Sequence, residues 1–332
     1  MLPVPRLEGQ RVLVTGAAGF IGANLVRALV EARSEVHALI RPTSDLWRLR
    51  DVLPCLSGLH SVDMRCREDL LTTVRGVSPA VIFHGAAPPG HPSGVTHEAS
   101  FIRDTVVSTV HVLEAAADSN VSRVIHLGSS LEYGPRRKAL SETDRLDPTT
   151  TRGVAKAAAT LLCRQWARSH RTLVVVLRLF SVYGPWEGAT RLVPTAILAA
   201  LDGCPLALTP PGFRHDFIFV EDVVEACARA VGVSLSPGTI LNIGSGRQWT
   251  NEAVIRILQT VSGIPICVRP GSHPPRPLDT HHWVAEISRA RRQLGWKPRY
   301  TLARGLQKTM EWFRAHRSVY PRPEAMSPQG GR

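Results

Sequence analysis

The stretch Val12-Leu13-Val14-Thr15-Gly16-Ala17-Ala18-Gly19-Phe20-Ile21-Gly22 constrains the fold more than any other part of the chain. Val12 to Val14 make an apolar run too short for a helix, whereas Ile21, Leu25, Val26 and Leu29 recur at helical spacing. The order is therefore strand, tight turn, helix. Three glycines spaced G-x-x-G-x-x-G have separate tasks in such a turn. Gly16 reverses the chain, Gly19 lets backbone N–H groups approach a pyrophosphate, and Gly22 lets the helix close on the strand. Phe20 and Ile21 open the helix, whose N-terminus faces the anion. The implied ligand is a dinucleotide, because a glycine triplet gains that meaning when a strand precedes it and a helix follows.

The chain repeats this alternation. Glu35 to Pro42 reads as a second strand stopped by proline. Sites for NAD commonly hold a carboxylate about 20 residues beyond the glycine loop, on the ribose hydroxyls. Ile40 and Arg41 stand there instead, which tilts the expected cofactor from NAD toward NADP, with Arg41 beside the 2′-phosphate; Arg41 is equally placed to be a solvated strand-end residue. His60 to Met64 reads as a third strand, putting Asp63 within reach of an adenine amino group with Met64 next to it. Val81 to Ala87 reads as a fourth, and its small Ala86 lets a cofactor lie against the backbone. Thr105 to Ala117 has the apolar rhythm of a helix, and Arg123 to Gly128 is a fifth strand running into Ser129. Strands alternating with helices predict an α/β, doubly wound parallel sheet whose strand ends converge on one rim.

Composition narrows the class. Of 332 residues, 44% are apolar and 20% charged, as in a globular protein, and no run approaches the roughly 18 apolar residues of a membrane span. Residues 1–6 lack a basic region followed by an apolar core, so a cytoplasmic protein is expected. The six cysteines form no Cys-x-x-Cys pair and the histidines have no ligand spacing, which argues against a disulfide framework or a metal site. The net charge of +13 occurs as short clusters such as Arg136-Arg137-Lys138, with only 6% aromatic residues for base stacking. An anionic small molecule fits that pattern better than nucleic acid.

Several further motifs stand in a fixed order: Ser129-Ser130-x-x-Tyr133-Gly134, Arg178-x-x-Ser181-Val182-Tyr183-Gly184-Pro185, Asp216-Phe217-Ile218-Phe219-Val220-x-Asp222-Val223 and Leu294-Gly295-Trp296-x-Pro298. With the glycine turn, they make the chain resemble the extended short-chain dehydrogenase/reductases from about Arg11 to Trp312. The branch it looks most like modifies nucleotide sugars: epimerases, 4,6-dehydratases and 4-ketoreductases. The resemblance implies a Rossmann-type domain over 1–180 with a returning segment at about 213–245, a smaller substrate domain over 181–212 and 246–316, and a disordered tail over 317–332. It implies a homodimer through two helices, here Thr105 to Ala117 and Gly153 to Ser169. It also implies a nucleotide diphosphate sugar as ligand, with Ser129 on the reacting sugar oxygen, Ser130 and Ser181 on the substrate, and Arg214 and Arg276 on the diphosphate, where forked donors suit phosphate oxygens.

The chain departs from the family at the centre of its chemistry. A tyrosine four residues before a lysine ordinarily does the acid/base work, because i and i+4 share a helix face and the ammonium lowers the phenol's pKa. Lys156, which the resemblance places beside the nicotinamide ribose, is present, but Arg152 stands where the tyrosine belongs. Arginine keeps its proton and cannot be the base. Thr149, Thr150 or Thr151 acting with Ser129, a substrate-bound water, or a different reaction altogether are the alternatives. Dehydratases of the group place a carboxylate directly after Ser130, where this chain has Leu131, with Glu132 displaced by one position. Epimerase or 4-ketoreductase chemistry is therefore expected over 4,6-dehydration. Thr105 and Ser181 replace two asparagines of the family site.

Overall fold

The computed structural model describes residues 7–88, 95–275 and 279–320. Residues 1–6, Arg276 and the chain beyond Tyr320 lie outside that set. In order the elements are β1 (Arg11–Thr15), α1 (Phe20–Glu31), β2 (Glu35–Ile40), β3 (Gly58–Ser61), α2 (Arg67–Val77), β4 (Val81–His84), α3 (Val95–Asp118), β5 (Arg123–Ser129), α4 (Thr151–Ser169) and β6 (Leu173–Leu179). There follow β7 (Ser181–Tyr183), α5 (Leu192–Asp202), β8 (Leu206–Leu208), β9 (Arg214–His215), β10 (Phe217–Phe219), α6 (Val220–Gly232), β11 (Thr239–Ile243), β12 (Trp249–Thr250), α7 (Asn251–Ser262), β13 (Val268–Pro270), α8 (Ser288–Leu294) and α9 (Leu302–Ala315).

Seven strands form one parallel sheet in the order β11-β6-β5-β4-β1-β2-β3. Its inner strands are largely buried along their length because both faces are covered, whereas the edge strand β3 is half exposed. Val12 and Val14 pack on α1, α6 and α8 through Leu25, Leu29, Val223 and Leu294, whereas Leu13 between them packs on α2, α3 and α4 through Leu70, Leu113 and Cys163. The chain adds β2 and β3 on one side of β1 and β4, β5, β6 and β11 on the other, while β7 with β10, β9 with β12 and β8 with β13 form separate two-stranded pairs. Strand order therefore reverses between β1 and β4, which opens a crevice at their C-terminal ends, where ligands of such sheets bind. A second core gathers α5, α7 and α9 with β8 and the aromatic residues Tyr183, Phe217 and Phe219 beside that rim.

Three local expectations need correction. The third strand ends at Ser61, because Asp63 turns the chain: its carbonyl accepts from the Cys66 N–H at 2.8 Å. The helix expected from Thr105 begins at Val95. The stretch expected to be a loose tail is packed as far as Tyr320, since Arg317 pairs with Asp202 at 2.7 Å and Tyr320 stacks on Phe313. Aromatic packing holds what a proline-rich composition appeared to free.

Candidate active site

The glycine turn builds its cradle from close contacts. Gly16 has φ +71°, and a Cβ there would lie 2.8 Å from the Ala86 backbone; a Cβ on Gly22 would overlap the Gly16 carbonyl. Thr15 ties the two rim strands together, its hydroxyl 2.8 Å from His84 Nδ1 and accepting from the Ala86 N–H at 3.3 Å. The N-terminus of α1 starts from Gly19, has no side-chain cap and no acidic residue in its first turn. Its first N–H groups are thus left for an anion, which fits the pyrophosphate of a dinucleotide. Arg48 donates to the carbonyls of Trp186 (2.7 Å) and Ala18 (3.5 Å), linking the glycine turn to the loop before α5. No local pattern in the sequence announced that link.

Two expected adenine-side residues are partly engaged. The Arg65 guanidinium holds Asp63 at 2.6 Å and keeps its carboxyl below the usual carboxylate range, so Asp63 meets an adenine only beside that pair. Arg41 follows β2 directly, with its backbone N–H on the Ser44 hydroxyl at 3.1 Å. Met64 is buried, and its carbonyl lies 2.9 Å from His111 Nδ1.

On the other side of the crevice, β5 ends in a tight turn over Ser130–Glu132. Ser129 Oγ accepts from the Leu131 N–H at 3.2 Å, while the Ser129 N–H donates to Glu132 Oε1 at 2.8 Å, a reciprocal cap. The second Glu132 oxygen accepts from Arg178 Nε at 2.7 Å; Arg178 also donates to the Tyr133 hydroxyl, which donates to Asn242. Burial pushes the Glu132 carboxyl up against the pull of Arg178. Glu132 is thus held inside the fold rather than displaced toward a ligand. Ser130, expected on the substrate, is buried with its hydroxyl accepting from Trp283 Nε1 at 3.1 Å.

Helix α4 starts at the cap Thr150, whose hydroxyl accepts from the Gly153 N–H at 3.1 Å. Gly153 is required because a Cβ would meet the Leu131 carbonyl at 2.6 Å. Lys156 lies buried on the sheet-facing side and donates from Nζ to the Leu127 carbonyl at 2.8 Å, two residues before Ser129. Burial pulls its pKa down to about 8, with the nearby Arg152 charge in the same direction and Glu132 opposing. Arg152 sits one turn earlier, half-buried, its guanidinium 5.8 Å from the centre of the Phe101 ring. Burial and then the Arg191 charge lower its pKa. Among the described residues no carboxylate pairs with it.

Arg191 precedes α5 and reaches Glu187 at 3.6 Å. Glu187 is buried, which raises its carboxyl to about 8, and one of its oxygens has no partner. Beneath Lys156, His84 bridges Thr15 and Thr109, and its ring lies 5.1 Å from His126. Burial and the Lys156 charge bring His84 down to about 3, so it stays neutral. Thr105 is buried with its hydroxyl unpartnered.

Toward the second core, Ser181 on β7 is half-buried and Arg214 on β9 is exposed at the pairing with β12. Between them Asp216 accepts from the Ser245 N–H and hydroxyl, both at 2.6 Å, and from the N–H groups of Gly246 and Ala285 at 3.0 Å. It is a structural anchor. Gly16, Gly19, Ala86, Ser129, Lys156 and Arg152 therefore come from elements that meet at the C-terminal rim, and Arg276 lies outside the described residues.

A sequence profile of the NAD dependent epimerase/dehydratase family matches residues 12–244. The chain belongs to this family. Similar members include a dTDP-glucose 4,6-dehydratase of Streptomyces niveus, 30% identical over 93% of this chain and 94% of that one. A UDP-glucose 4-epimerase of Mycolicibacterium smegmatis is 30% identical over 92% and 98% of the two chains. Among solved structures, MoeE5 in complex with UDP-glucose and NAD is 32% identical, with a TM-score of 0.82 over 93% of this chain and 99% of its own. A UDP-glucuronic acid 4-epimerase of Bacillus cereus, in complex with UDP-glucuronic acid and NAD, is 26% identical, with a TM-score of 0.83 over 93% and 99%. The family places the chain among NAD-dependent enzymes with a Rossmann-type fold, and none of the helices among the described residues is long and apolar enough to cross a membrane.

Proposed function

We propose that the chain is an NAD(P)-dependent nucleotide-sugar enzyme of the epimerase or 4-ketoreductase type with a non-standard acid/base. The observation that carries this reading is the joint presence, on one rim, of an uncapped helix N-terminus behind the glycine turn and of Lys156 held against β5. The relatives bind UDP- and dTDP-sugars, and such a ligand suits Arg214 at the open side of the crevice. A bound nicotinamide cofactor supplies a hydride acceptor and donor. Gly16, Gly19 and Gly22 would admit its pyrophosphate, Ala86 would line it, and Lys156 would hold its ribose. Arg41 supports NADP, whereas the solved relatives named above hold NAD.

Ser129 keeps its hydroxyl proton free to donate, because its oxygen accepts from Leu131 without giving that proton away. It therefore suits the reacting sugar oxygen. Leu131 supplies no acid and Glu132 is committed to Arg178, which disfavours removal of a C6 hydroxyl. Val154 and Leu161, both exposed on α4, support a homodimer through α3 and α4. The first experiment denatures the purified protein and identifies the released nucleotide, then follows UDP- and dTDP-glucose for epimerisation or for reduced nicotinamide. Failure to find a nicotinamide nucleotide together with failure to bind either sugar nucleotide would sink the reading.

A second reading rests on Arg152 alone: a member that has lost standard redox chemistry and serves as a non-redox catalyst or binding subunit. Arg152→Tyr separates the two. Gain of hydride transfer marks a lapsed dehydrogenase, and loss of a measurable native reaction gives the arginine its own task.

A further inference from the structure

The charges around Arg152 do not balance. Lys156, one turn away on the same helix face, is buried and bonded to a carbonyl rather than to an acid. The carboxylate that could answer it, Glu132, is already held by Arg178 and the Ser129 N–H. Arg191, whose charge acts on Arg152, has among the described residues one acidic partner, Glu187, at the loose distance of 3.6 Å, and burial keeps a proton on that carboxyl near neutral pH. Phe101 offers the Arg152 guanidinium an aromatic face at 5.8 Å, without a negative charge. A desolvated guanidinium left without a counter-charge costs several kcal/mol in general, and folds avoid it unless another molecule supplies the anion.

We propose that Arg152, aided by Arg191, binds a carboxylate on the sugar ring of the substrate, so that the substrate is a nucleoside diphosphate hexuronate rather than a neutral hexose. This rests on the nucleotide-sugar reading above. The position follows from α4: Arg152 is one helical turn from Lys156, whose Nζ reaches the strand that ends in Ser129, so its fork lies at the sugar end of the crevice. The diphosphate has other partners available in Arg214 on β9. A carboxylate is the anion of choice at a planar fork flanked by an aromatic ring, since two parallel N–H···O bonds satisfy both oxygens. The arginine that cannot act as the base is thereby a specificity residue.

The test is isothermal titration of the purified holoenzyme with UDP-glucuronic acid and UDP-glucose, and with the corresponding dTDP sugars, at two salt concentrations. The parent is expected to favour the hexuronate by about ten- to a hundredfold, the range of a charge-assisted pair. Arg152→Gln abolishes that ratio, Arg152→Lys keeps part of it as a point charge without the fork, and Arg191→Gln reduces it. A thermal melt of each variant verifies folding. Equal affinity of the parent for acid and neutral sugar, or a preference that survives in Arg152→Gln, overturns the proposal while leaving the nucleotide-sugar reading in place. Binding of none of the four overturns both.

Discussion

Arg178 is fully withdrawn from water and Arg152 half so, and they are treated in opposite ways. Arg178, on β6, is 2% exposed and matched to an acid: Glu132 takes Nε at 2.7 Å, the Tyr133 hydroxyl takes Nη1 at 2.9 Å, and the Tyr133 ring lies 4.6 Å from its guanidinium. Arg152 has one ring at 5.8 Å and a neighbour of its own sign. The first guanidinium joins β5, β6 and β11 through Asn242, so its bonds serve the fold. The second has bonds to give and, among the described residues, no carboxylate to give them to. Arginine at the end of a sheet is thus not one kind of residue; the presence of a matched carboxylate separates a strut from a binding group.

Removing the strut should have the largest effect. Arg178→Met leaves Glu132 buried without its partner and is expected to lower stability by about 3–5 kcal/mol, read by chemical denaturation. A loss under about 1 kcal/mol would mean that the two arginines do not differ in the way described. Glu132→Gln makes Arg178 resemble Arg152, and a similar loss is expected from it.

The difference between these arginines was hidden in the sequence. What was legible there was local: the glycine turn, the apolar runs of β1, β4 and β5, and the helices after them all declare themselves within a dozen residues. The partners were not. Arg178 meets Glu132 across 46 residues and Ser130 meets Trp283 across 153, distances over which no periodicity speaks. Ser130 therefore looked like a substrate contact, and the displacement of Glu132 from the dehydratase position could be read without showing that Arg178 holds it. The spacing of Arg152 and Lys156 was plain from the chain, yet that no carboxylate among the described residues pairs with Arg152 shows only once the elements around it are packed. Tyr320 was missed for the same reason, since its neighbours Phe313 and Trp47 lie on α9 and in the loop after β2.

A middle-sized effect should come from Glu187, the group that decides how well the Arg191 end is neutralised. Its folded pKa, raised by burial to about 8, lies above the ordinary 4.5. The folded state therefore holds the proton more tightly, and the contribution to stability is full below about pH 4.5 and fades as pH rises toward 8. Glu187→Gln lacks that loss. The melting temperature of the variant relative to the parent should accordingly climb between about pH 5 and pH 8, as followed by thermal melts in matched salt. A difference that stays flat would show Glu187 to be ionised already, and so to be a true partner for Arg191.

The smallest effect on stability, and the sharpest contrast with Arg178, is expected at Arg152 itself. Arg152→Gln removes a partly desolvated charge from beside Lys156 and Arg191 and breaks no ion pair among the described residues. The change should lie within about 0.5 kcal/mol of the parent or be stabilising, as happens where a binding group has been kept against the interest of the fold. With the bound ligand absent, chemical denaturation of the two proteins side by side reads this directly. A loss comparable to that of Arg178→Met would place Arg152 among the struts, with its Phe101 contact as the reason. A gain, joined to a lost preference for the acidic sugar, would separate stability from recognition at one residue.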